Sequence, residues 1–178
     1  MGIDPIVLFA IQFTFVLVAY ALLARWYVWP RLSGLPPVVA LVPLIWVHVF
    51  RIAGGSILAP GSVGPGVPAE FREVIGYGDM ATAVLALVTL VALRARGSRA
   101  VRFVWVFVAL GLLDTANAII QSMRFSVFDE PLGVNWMIVT LYVPALLVST
   151  YLIVVELLEA ERIPQRSSQE NPRIGSGP

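Results

Sequence analysis

Five long apolar stretches alternate with short segments rich in Gly, Pro and Arg along this chain. The stretches fall at 5–25, 37–58, 77–95, 101–123 and 134–158. A helix of about 20 apolar residues spans the hydrocarbon core of a bilayer, so each is long enough with modest tilt. None shows the strict alternation of a barrel strand, and an open sheet would leave its backbone unpaired in lipid. The pattern predicts an all-α integral membrane bundle of five transmembrane helices over residues 1–163. The polar tail at 164–178, rich in Ser, Pro and Gly, reads as disordered.

The joints are legible in the same way. Trp26-Tyr27-Val28-Trp29-Pro30 reads as an aromatic belt that ends the first span. Leu35-Pro36-Pro37 opens the second. Residues 54–68 carry many Gly and Pro and read as a long loop. Arg96-Gly97-Ser98-Arg99 reads as a tight turn, and Asp129-Glu130-Pro131 with Gly133 joins the last two spans. The stretch from 5 reads as a retained span and not a signal peptide, because Asp4 is the only charge before it and no small-residue cleavage site follows.

Arginine is unevenly shared among the joints. The first carries Arg25 and Arg31, and the third carries Arg94, Arg96, Arg99 and Arg102. The second and fourth offset Arg72 and Arg124 with Glu70, Glu73, Asp129 and Glu130, while the tail holds Arg162, Arg166 and Arg173. The positive-inside rule then predicts an outside N-terminus and a cytoplasmic C-terminus.

Composition narrows the chemistry. Hydrophobic residues make up 58% of the 178 and charged residues only 13%, against about 25% charged in a soluble domain. The net charge of +1 and the lack of a basic face give no reason to expect nucleic acid. There is no cysteine and no lysine, and His48 is the only histidine. Thiolate clusters, disulfides, Schiff-base lysines and a bis-His haem within one chain are thereby excluded. No cofactor, no metal site and no catalytic residue is expected.

Ionisable groups inside a span are costly and normally face the bundle interior. His48 and Arg51 share a face of span two. Asp114, Asn117 and Gln121 draw one polar stripe on span four. At 1.5 Å per residue, Arg51 and Asp114 both lie about 20 Å from the cytoplasmic boundary, and His48 about 16 Å. Gln12 and Thr14 reach a similar level from the other side. Asp114 is the first-choice counter-ion for Arg51, with Asp79 the second. Glu156, with Glu159 and Glu161, reads as a solvated helix end. Pro43 and Pro144 sit within spans, and a kink at Pro144 would shape a cavity.

Gly76-Tyr77-Gly78-Asp79 resembles part of the potassium-channel filter. However, Val74 stands where the filter has threonine, and a Gly/Pro-rich loop precedes it where a pore helix would be. The two glycines read better as a turn, with Asp79 as the N-cap of span three. The wider pattern of Arg51 with Gly54-Gly55, then Pro68-x-Glu70-Phe71, then Gly76-Tyr77-Gly78-Asp79 resembles a group of small bacterial polytopic membrane proteins that have no assigned function. That resemblance implies a bacterial inner-membrane protein in which Arg51, Glu70 and Asp79 belong to one feature. The segment between spans two and three would fold back over the Arg51–Asp114 region as a lid.

Two readings of the polar groups stand side by side. One is a buried Arg–Asp pair that fixes helix register. The other is a pocket of His48, Arg51, Asp114, Asn117, Gln12 and Asp79 that binds or moves a small polar solute or proton. The lipid bilayer is the expected surrounding, with a homo-oligomer or a membrane-complex partner as the expected assembly. An accessory subunit, or an intramembrane enzyme acting on lipid or isoprenoid, are the alternatives. The scattered Asp114, Asp79 and Glu156 lack the paired-acid spacing that diphosphate chemistry requires.

Overall fold

The computed structural model describes residues 2–95 and 100–169. Among the described residues, five helical segments are long and apolar enough to cross a membrane: α1 (Pro5–Leu32), α2 (Pro37–Leu58), α3 (Ala69–Arg94), α4 (Ala100–Arg124) and, within a helix that runs on to Gln169, α5 (Val134–Ala160). The expected Arg96–Arg99 turn and the last nine residues lie outside the described residues.

Several boundaries differ from the sequence pattern, each for a local reason. Helix α1 runs through the aromatic belt to Leu32 instead of stopping at 25. It does so by opening into a π-turn at Ala24–Val28, in which Trp29 N–H donates to the Ala24 carbonyl. The same device recurs at Ile138–Tyr142 in α5, where Val143 N–H donates to Ile138. In both, one residue separates the π-turn from a proline, Pro30 or Pro144. A proline ring has no N–H and crowds the carbonyl four residues earlier, and the wider turn gives that carbonyl room.

Helix α2 is α-helical to Val49 and continues as a 3₁₀ helix over Phe50–Leu58, so residues 54–58 of the expected loop are helical. Helix α3 begins at Ala69, two turns before the predicted 77. Asp79 is therefore not an N-cap but lies mid-helix, and Gly76 and Gly78 do not form a turn. Helix α5 stays helical to Gln169, six residues into the tail expected to be disordered. Extending an existing helix by one residue costs far less than nucleating one, and Gln165, Arg166 and Gln169 are good helix formers.

Helix α3 is the centre of the bundle and packs against both halves of α2 and against α4. Helix α2 packs in turn on α5, and α5 on α1. Small residues make these approaches close: Thr82, Ala83 and Ala86 of α3 are buried, as is Gly111 of α4. Helix α1 is peripheral, with no buried residue over Pro5–Leu23. One apolar cluster fills the end that carries Arg25, Arg31, Arg94 and Arg102, with Leu41, Ile45, Leu93, Val104, Phe107, Ile153 and Leu157 at its heart. A smaller cluster of Ile57, Val67, Phe71, Val127 and Leu132 closes the opposite end. Polar groups and open space lie between the two.

Candidate functional site

Arg51 ties three helices together. Its Nε donates to Asp79 Oδ1 on α3 at 2.5 Å, and its Nη2 donates to Asp114 Oδ2 on α4 at 2.5 Å. A longer contact of 3.5 Å runs from Nη1 to the Gly111 carbonyl. The side chain is only 6% exposed, and the two carboxylates 17% and 18%. The sequence ranked the two aspartates as alternatives, whereas the planar guanidinium fork engages both at once.

All three residues sit at one depth. Counting 1.5 Å per residue, Asp79 lies about 15 Å from the start of α3, Asp114 about 15 Å from the end of α4, and Arg51 about 21 Å from the start of α2. Each is thus well inside a helix long and apolar enough to cross a membrane, and an unpaired charge in such a layer is costly.

The glycines of the R-x-x-G-G and G-Y-G-D segments make room for this cluster. A Cβ on Gly54 would stand 1.8 Å from Asp79 Oδ2, and one on Gly78 would stand 2.2 Å from Asp114 Oδ1. A Cβ on Gly76 would meet Leu58 Cγ at 2.6 Å. Helix α3 keeps glycine where side chains of α2 and α4 come within touching distance, which is why a turn signal in the sequence lies inside a helix. Phe71 of the same pattern is buried in the end cluster, while Glu70 is exposed in the first turn of α3 and stands apart from the ion pairs.

Beside the cluster lies a chamber of about 290 Å³. All five helices contribute to it, with Phe9 and Phe13 from α1, Arg51 and Ile57 from α2, Ile75 and Asp79 from α3, Thr115 and Ile119 from α4, and Val139 and Leu146 from α5. Its wall is overwhelmingly apolar and aromatic; the polar groups are Arg51, Asp79, Thr115, Ser122, Asn135 and Tyr142. The π-turn before Pro144 supplies Ile138, Val139 and Tyr142 to the wall.

The segment between α2 and α3 covers one end. Gly64 N–H donates to the Pro131 carbonyl at 2.6 Å, Asn135 Nδ2 donates to Ser62 O at 3.3 Å, and Ser56 Oγ pairs with Asn135 Oδ1 at 3.1 Å. The bonds of Gly64 and Ser62 pin the segment, and that of Ser56 pins the end of α2, at the start of α5, over the small apolar cluster.

The remaining predicted residues are distributed elsewhere. Gln12 is exposed, accepts from Trp136 Nε1 at 2.7 Å, and lines a separate shallow pocket with Phe15 and Met137. Asn117 is half-buried and lies outside the chamber wall. Helix α4 turns Thr115, Ala118 and Ser122 to the chamber instead, one residue and hence about 100° around from the predicted stripe. His48 is buried and faces α5 and α4: its Nε2 is 3.5 Å from Thr150 Oγ1 and its ring stands edge-on to Phe107 at 5.0 Å.

Glu156 is a correction. It is 2% exposed, and its Oε1 has no hydrogen-bond partner among the described residues. It is not a solvated helix end, because α5 continues past it and Leu152, Ile153 and Leu157 around it are packed into the core.

Sequence reading missed Tyr142 and Ser149. The Tyr142 hydroxyl donates to the Val47 carbonyl, and Ser149 Oγ donates to the Leu44 carbonyl at 2.8 Å. Both bonds end on carbonyls in the second half of the α-helical part of α2. Tyr142, Ser149 and Glu156 are spaced by seven and so share one face of α5; that spacing was the available signal.

Residues 8–158 match the family model described as "Domain of unknown function (DUF8737)". No curated protein and no solved structure matches the chain.

Proposed function

This chain belongs to the DUF8737 domain family, and we propose that it is a membrane protein whose central chamber binds a small hydrophobic molecule against its apolar wall, beside Arg51 and Asp79. One observation carries the reading: the chamber of about 290 Å³ is walled by apolar and aromatic side chains and has its charged groups at one place. Its volume lies at the lower end of the range of small-molecule sites, and a mostly apolar wall with a few fixed polar groups is their usual makeup. The walls, more than the ion pairs, set the class of ligand, since a fully polar solute would lose its hydration against Phe9, Phe13 and Leu146 without recompense.

The arginine-rich end faces the cytoplasm in this proposal, and the N-terminus and the covered end of the chamber face outward. The membrane is the inner membrane of a bacterium.

Equilibrium dialysis of tert-butylbenzene against the protein in nanodiscs tests the binding role. Saturable uptake near one equivalent per chain, above that of empty nanodiscs, supports it. Uptake that is linear and equal to that of empty nanodiscs refutes it.

A further inference from the structure

The charges of the central cluster do not balance. One guanidinium, Arg51, faces two carboxylates, Asp79 and Asp114, so with both ionised the cluster carries a surplus negative charge. Arg51 and Asp79 are the charged residues of the chamber wall, and no other cation lines it among the described residues. Net charge in an apolar layer is expensive. Of the two carboxylates it is Asp79 that lines the chamber, so a ligand in the chamber meets Asp79 and not Asp114. Five aromatic rings, those of Phe9, Phe13, Phe71, Phe128 and Tyr142, line the same space. Aromatic faces attract cations through their quadrupole, most strongly when the site is dry, and quaternary ammonium groups are recognised this way.

Resting on the binding role proposed above, we infer that the chamber selects a lipophilic cation, whose positive head neutralises the surplus charge at Asp79 while its apolar body fills the aromatic wall. An anionic head would add to the negative charge, and a neutral head would leave it in place. The surplus carboxylate, which a simple register-fixing pair would not need, is then part of the binding site.

The test compares two probes of equal shape. Phenyltrimethylammonium and tert-butylbenzene differ in one atom, a positively charged nitrogen in place of a carbon. Each is dialysed against the protein in nanodiscs of zwitterionic lipid, and partition into empty nanodiscs is subtracted. Binding of the ammonium at least about tenfold tighter than its neutral isostere, with Asp79→Asn removing the preference, is the expected result. Equal saturable affinities would overturn the cation class and leave the chamber as a binding site. No saturable binding of either probe would overturn both readings. A preference that survives Asp79→Asn would also overturn the inference. Thermal unfolding of the variant shows whether its bundle is intact; if it is not, Asp114→Asn removes the same surplus charge and replaces it in the test.

Discussion

Asp114 occupies the space that a side chain on Gly78 would need: a Cβ there would stand 2.2 Å from Asp114 Oδ1. The carboxylate cannot simply swing aside, because its other oxygen holds Arg51 Nη2. In an unconstrained helix, Gly→Ala gains about 1 kcal/mol. Here it should do the reverse, since displacing Asp114 breaks a buried pair whose loss costs about 3–5 kcal/mol. Gly78→Ala is therefore expected to lower stability by a net of about 2–4 kcal/mol, read as a fall in the midpoint of thermal unfolding in mild detergent. Gly54→Ala, which meets Asp79 Oδ2, should behave alike. An increase in midpoint for either would show that the glycines are not spacers for the cluster.

Removing Arg51 strips the partner from two carboxylates at once. Arg51→Ala should lower stability by about 3–5 kcal/mol, while Asp114→Asn leaves a neutral Arg51–Asp79 pair and should cost less. Arg51→Lys should fail to rescue, because one ammonium cannot present the fork that reaches Asp79 and Asp114 together. Denaturation curves for the three variants give the order; an Asp114→Asn loss larger than that of Arg51→Ala would contradict the arrangement.

The hydroxyls of Tyr142 and Ser149 fasten α5 to the carbonyls of Val47 and Leu44 on α2. Hydrogen bonds between helices in membranes contribute about 0.6 kcal/mol on average and up to about 1.7. Tyr142→Phe and Ser149→Ala are each expected to cost about that much, and to add within error because the two bonds are separate. Tyr142→Phe should also weaken tert-butylbenzene binding less than a chamber-filling change does, since the ring stays in the wall.

The five helices were legible because hydrophobic length alone marks a segment that fits the bilayer. The Arg51–Asp114 pairing followed from depth, which is counted in residues. What escaped the sequence was lateral placement. Gly76 and Gly78 carry the same letters in a turn and in a helix that a neighbouring side chain approaches, so the residue pattern starts α3 two turns late and makes Asp79 a cap. The face of α4 that meets the chamber differs from the predicted stripe by one residue, because Asp114 turns toward Gly78 and Arg51, leaving Thr115, Ala118 and Ser122 to line the wall. Gln12 lies on α1, whose apolar surface is nearly uniform, so nothing in the residue pattern says which way it faces; its partner is Trp136. Glu156 looked solvated beside Glu159 and Glu161 only because the helix beyond it was expected to end.

The measurement that bears most directly on the central claim is the stoichiometry of tert-butylbenzene bound by wild type and by Ala118→Phe in nanodiscs, measured side by side. Ala118 lines the chamber, and a phenyl group added there takes up chamber space. The account predicts saturable binding near one equivalent for wild type and its loss in an Ala118→Phe variant that still unfolds cooperatively. Equal binding by the two proteins, or none above empty nanodiscs for wild type, would contradict it.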